Sequence, residues 1–228
     1  MRQTKRKMLD RRPGLIKSVA ELAELKDQLT DGQAHNLIRS ITQLFVAQML
    51  EAGHPARQIL RITTKLRDAG RRSAPWKPFS TRVPGRPQDG EDGNRISRWL
   101  LPEDHKFYAA EVTATLVEVK YYLQLFSMAN APALPDNSLE NAFSWLIEHS
   151  VKSGTYLDPI QRLPINIVEV VNDARIIQSG HLVPLDRGGK HEPKNSFLML
   201  ARSNQLQGNL TLSELLSLMT DILSRHGK

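Results

Sequence analysis

Residues 179–208 read SGHLVPLDRGGKHEPKNSFLMLARSNQLQG, and this stretch decides both the fold of the C-terminal third and the chemistry open to it. Residues 174–177 and Leu182-Val183 read as a strand running past His181 and broken at Pro184, because proline has no amide to give to a ladder. Asp186-Arg187-Gly188-Gly189 supplies the turn, its glycines free to take positive φ. Residues 197–200 read as a second short strand, and Ser203 as the cap of a helical turn that presents Asn204 and ends near Gly208. A hairpin followed by a helix would bring His181 and Asn204 together across a shallow groove.

Those two residue types suit hydrolysis of a phosphodiester. A neutral imidazole, with an ordinary pKa of about 6.5, can take a proton from water near neutral pH. A hard cation can offset charge on the phosphate, and Mg²⁺ needs only one or two protein oxygens because it keeps several waters.

Gly180-His181-Leu182-Val183-Pro184, Gly188-Gly189, Asn195 and Asn204-x-x-Gln207-Gly208 resemble the HNH nucleases of the ββα-metal superfamily. The resemblance covers about the last third of the chain and leaves the first 150 residues unassigned. It implies that His181 is the general base, that Asn195 bonds loop backbone to fix that base, and that Asn204 is a ligand for Mg²⁺ or Mn²⁺. Many family members carry an acidic second ligand where this chain has Gly180, and Asp173 or Asp186 could stand in for it. Other superfamily members hold Mg²⁺ through one asparagine and water. Many HNH proteins also frame the hairpin with zinc on cysteines. The chain has no Cys, so structural zinc of that kind is excluded, and the hairpin must be held by packing, for example against residues 165–171 and the last helix. Arg187, Lys190 or Lys194 would contact neighbouring phosphates, whereas His191 reads as a solvated loop residue, with a contact to phosphate or metal as the alternative.

Charge fits the same substrate. A net +7 and a pI near 9.8 suit a polyanion such as double-stranded DNA, since lysine and arginine that neutralise phosphates release counterions. Aromatic content of 6% is low for a protein that binds single strands by base stacking. No stretch approaches the roughly 20 apolar residues needed to span a bilayer, no signal sequence follows the basic start, and absence of cysteine is compatible with a reducing cytoplasm.

The remaining chain reads as mainly helical. Residues 1–14 form a basic arm, 15–70 a helical region, 71–97 a basic loop or linker, 98–150 a helical core, and 151–228 the nuclease module. Helical spacing of apolar residues marks segments at 15–29, 35–50 and 56–69. Arg57, Arg61 and Lys65 make a cationic face on the third, which reads as solvated or as a DNA contact. In the linker, Arg71, Arg72 and Lys77 interleave with Trp76 and Phe79 and are candidates for nucleic-acid binding. A central helix runs from Pro102 to about Met128, and Ser138 caps a shorter one ending at His149. Thr211-Leu212-Ser213-Glu214 is a capping box opening a last helix whose leucine-rich stripe reads as core, with a dimer face as the alternative.

The expected fold class is therefore α+β, mainly α-helical, ending in a hairpin-helix module. The expected activity is Mg²⁺-dependent cleavage of DNA, with the family resemblance pointing to a cytoplasmic restriction or phage-defence nuclease. The alternatives are a phage or mobile-element nuclease with the same chemistry, and a non-catalytic basic DNA-binding protein. A palindromic target would imply a homodimer.

Overall fold

The computed structural model describes residues 10–73, 95–134 and 136–227. Lys77, Trp76 and Phe79 lie outside the described residues, as does most of the basic arm. In chain order the elements are α1 (Arg12–Ala23), α2 (Asp31–Glu51), α3 (Ala56–Gly70), α4 (Glu111–Ser127), α5 (Ile167–Asn172), β1 (Ile177–His181), β2 (Ser196–Leu200), α6 (Ala201–Gln207) and α7 (Leu212–Arg225). Among the described residues the protein is thus mainly helical with one two-stranded antiparallel sheet, an α+β arrangement. No helix among the described residues is long and apolar enough to cross a membrane.

Helix α4 is the organising element. Every residue from Ala114 to Ser127 is buried, so it is covered on all sides, as its apolar residues on both faces require. Helices α2 and α3 pack against it and α1 packs on α2, and Phe45 meets Tyr122 and Phe126 edge-to-face at centroid distances of 5.4 and 5.8 Å. Helix α2 starts at a capping box of Thr30 and Gln33, which satisfies two otherwise orphaned amides. Helix α3 crosses α4 at Gly70, where a Cβ would stand 2.6 Å from Glu118 Cβ. Glycine is what lets the two backbones approach there.

Along its other side α4 forms the floor of the hairpin. Gln124 Oε1 accepts from Leu198 N at 3.0 Å, the Tyr121 hydroxyl sits against Ser179 and Ser196, and Lys120 Nζ donates to Pro193 O at 2.6 Å while lying over the Phe197 ring. The core is continuous from Ile16 in α1 to Leu198 in β2.

Several local expectations change. Pro102 does not open the central helix, which begins nine residues later at Glu111; residues 102–110 form turns instead. No helix follows Ser138, whose amide bonds Asp136, and residues 139–146 form successive turns closed by three-residue hydrogen bonds such as Ser144 N to Asn141 O. Residues 174–176 are a 3₁₀ turn, not strand. The leucine stripe of α7 is not core: of its apolar residues only Leu215 is buried.

Candidate active site

The hairpin pairs Ile177 with Leu200, Gly180 with Phe197 and His181 with Ser196. Successive side chains alternate between faces, so Gln178 and Gly180 turn toward α6, and Ser179 and His181 toward α4 and the loop after β1. That alternation separates the two chief candidates. Asn204 Nδ2 donates to Gln178 Oε1 at 2.7 Å, and its Oδ1 lies against Gly180, 3.0 Å from where a Cβ would stand. The His181 imidazole reaches His191 instead. The two residues flank Gly180 and share no hydrogen bond.

His181 meets a residue that sequence reasoning placed in solvent. His191 is 1% exposed, and its Nδ1 lies 3.0 Å from His181 Nε2. On its far side His191 Nε2 is 2.7 Å from Gly70 O, the carbonyl that also accepts from Arg98 Nε at 3.1 Å. A carbonyl only accepts, so His191 carries its proton on Nε2 and has a lone pair on Nδ1. His181 Nε2 must therefore donate, and the basic lone pair of His181 is placed on Nδ1. Burial, and then the Arg98 charge, push the His181 pKa down to about 4. Burial likewise holds His191 well below its ordinary value, aided by Arg98 and His181. Both rings are neutral at pH 7.

Asn195 holds the loop that carries this pair. Its Oδ1 accepts from Val183 N at 2.8 Å, and its Nδ2 donates to Val183 O and Lys190 O, both at 2.9 Å. Gly189 passes so close that a Cβ would run into the Val183 carbonyl and stand 2.9 Å from Asn195 Nδ2. Gly189→Ala is expected to cost about 1–3 kcal/mol through this overpacking and to displace His191. The melting temperature and plasmid cleavage of the variant should both fall; an unchanged melting curve would mean that the contact is relieved by movement of the loop.

The helix that presents Asn204 is capped from a distance. Ser203 is not its cap; α6 starts at Ala201 with no side-chain cap of its own. The cap comes from Asp158, which is fully buried. Its Oδ2 accepts from Leu200 N at 2.8 Å, while Oδ1 accepts from Ser203 Oγ at 2.8 Å and from Ile160 N and Gln161 N. Sequence reasoning gave Asp158 no role, although an aspartate before Pro159 is a turn signal. Gln207 Nε2 then donates to His181 O at 2.9 Å and to Leu182 O at 3.1 Å, fastening the end of α6 to β1.

The cations are divided between structure and surface. Arg71 is bound to the buried Glu118 at 2.5 Å, and burial raises the pKa of that carboxyl while Arg71 opposes the shift. Arg72 pairs with Asp68 at 3.1 Å. Arg187 reaches Glu214 at 2.5 Å. Lys190 is exposed, and Lys194, also exposed, lies 3.4 Å from Glu192.

For a metal the donor set is sparse. Among the described residues no group of three or more His, Cys, Asp or Glu is placed to hold one. Asp173 is bonded to Arg175 and Asp186 to Lys106. The space at position 180 is filled from the neighbouring strand, since a Cβ on Gly180 would stand 2.6 Å from Met199 Sδ. Asn204 Oδ1 is the oxygen on offer. Such a site fits a cation retaining most of its water and does not fit one held by carboxylates.

No family model matches the sequence, and no curated protein matches it. Among solved structures it is similar to one described as a type II restriction endonuclease, with a TM-score of 0.43 and 20% identity. That match covers 56% of this chain and 59% of the other, under two-thirds of its length.

Proposed function

We propose that this chain is a metal-assisted endonuclease that hydrolyses DNA phosphodiester bonds, of the HNH type and of the restriction or phage-defence class. The observation that carries the reading is the His181–His191–Gly70 chain of hydrogen bonds. It fixes the tautomer of a histidine at the mouth of a hairpin, which is what a base that must accept a proton at one stated atom requires. In this reading His181 Nδ1 takes the proton from water, Asn195 holds the loop, and Asn204 Oδ1 is the protein oxygen for Mg²⁺ or Mn²⁺. A bound divalent cation supplies neutralisation of charge on the phosphate. A depressed pKa keeps His181 unprotonated, and an approaching phosphate raises it toward the range in which it accepts a proton effectively. Lys190 and Lys194 would contact neighbouring phosphates, and the positive chain as a whole would attract DNA.

One observation favours a second reading. Met199 occupies the space of the acidic ligand, as expected of a basic DNA-binding protein that has given up the metal. Supercoiled plasmid incubated with Mg²⁺ separates the two. Cutting that stops on adding a chelator supports the nuclease; binding without cutting supports the alternative.

His191→Phe is expected to lower cleavage by roughly 10- to 100-fold, the usual effect of losing the partner that orients a reacting histidine. It also removes the acceptor for His181 Nε2, so nitrogen NMR of His181 should shift from the Nε2-protonated tautomer toward a mixture. An unchanged tautomer would remove His191 from the site.

A further inference from the structure

We infer that the exposed face of α7 is a homodimer interface, in which two copies of this helix pair antiparallel about a two-fold axis. The inference does not depend on the chain being a nuclease.

At 100° per residue the apolar side chains of α7 fall within an arc of about 160°, and the polar ones fill the rest. Only the first turn of that arc is covered. Leu215 is buried, whereas Leu216, Leu218, Met219, Ile222 and Leu223 are each between 44% and 53% exposed, and every residue from Leu216 to Gly227 is exposed. The capping box of Thr211 and Glu214 nonetheless starts the helix firmly. A single helix of 14 residues, left mostly in water, is marginal unless its apolar face is packed.

Two features point to a second copy as the occupant. Half-exposed Leu, Ile and Met side chains leave on the order of 90 Å² each in water, so the five offer roughly 450 Å² per copy and roughly 900 Å² in a symmetric pair; flanking polar stems bring this to the roughly 1,000 Å² where specific interfaces begin. Leu216, Met219 and Leu223, all exposed, also follow the three-four spacing of a helix-helix seam. Charge then selects direction. Glu214 is already held by Arg187, but Arg225 stands in the last turn, so an antiparallel pair opposes the helix dipoles and keeps the two Arg225 side chains at opposite ends. A parallel pair sets like against like. The contact is isologous, the usual form for a two-fold dimer.

Sedimentation of the full chain should give twice the 25.8 kDa chain mass. Ile222→Asp and Leu223→Glu should each return it to one chain, while Ser217→Glu, on the polar face, should leave the dimer intact. The chain has no cysteine, so single introduced thiols report cleanly even if a charged variant folds poorly. Under mild oxidation Met219→Cys, near the middle of the apolar face, should link to its copy, and Leu223→Cys, toward one end of the same face, should not. Equal linking at both positions overturns the antiparallel arrangement. A wild-type chain that stays monomeric at all concentrations overturns the dimer, as does a dimer that survives both charged variants. Monomers that collect on lipid vesicles would assign the face to a membrane surface and overturn the proposal equally.

Discussion

His181→Ala is expected to abolish DNA cleavage, by roughly 10²- to 10⁴-fold, the contribution usual for a positioned general base. Mg²⁺ and DNA binding should persist, because neither uses the imidazole. Equal residual cutting by both proteins would remove His181 from the chemistry. The same ring gives a pH signature. Its folded pKa of about 4 lies below the ordinary 6.5, and His191 is lowered too. The unfolded chain therefore takes up protons that the folded one refuses as pH falls. Stability is undiminished above pH 6.5 and is lost progressively between that value and about 4. Thermal melts of wild type against His181→Phe test this: the wild-type melting temperature should drop more steeply across the window. Parallel curves would mean that His181 takes up its proton as readily in the folded chain as in the unfolded one.

Asp158→Ala should be the most damaging single change to the fold of the site. It strips the acceptor from Leu200 N, Ser203 Oγ, Ile160 N and Gln161 N in a place with no exposure. Leaving buried donors without a partner costs about 1–3 kcal/mol each, so the total should reach about 3–5 kcal/mol even with relaxation. For a chain of this size that is a fall of about 10 °C in melting temperature. Cleavage should fall with it, because the start of α6 and hence Asn204 lose their anchor. Asp158→Asn keeps the shape but turns a donor toward Leu200 N or Ser203 Oγ, and should recover only part of the loss. A melting temperature within about 2 °C of wild type for the alanine variant would show that water replaces the carboxylate.

What was legible in the sequence follows from range. Local signals succeeded: apolar periodicity marked α1, α2 and α3, and the capping box at Thr211 is in place. The hairpin too was readable from its turn and apolar runs. Failures came where a partner lies far along the chain. His191 looked like a loop residue because nothing nearby in sequence announces Gly70, 121 residues away. Asp158 caps a helix 42 residues downstream, and Arg71 meets Glu118 across 47. Alternation along β1 was available from the sequence, but which face of the hairpin the helix carrying Asn204 would cover was not.

The carbonyl of Gly70 serves three masters. It ends α3, receives the Arg98 guanidinium, and grounds the histidine pair. A tail excised at residue 151 would keep every residue of the hairpin motif and lose that ground, along with Lys120, Tyr121 and Gln124 beneath the strands. Grafting the motif onto another scaffold would transfer its letters without the proton arrangement that gives them their use.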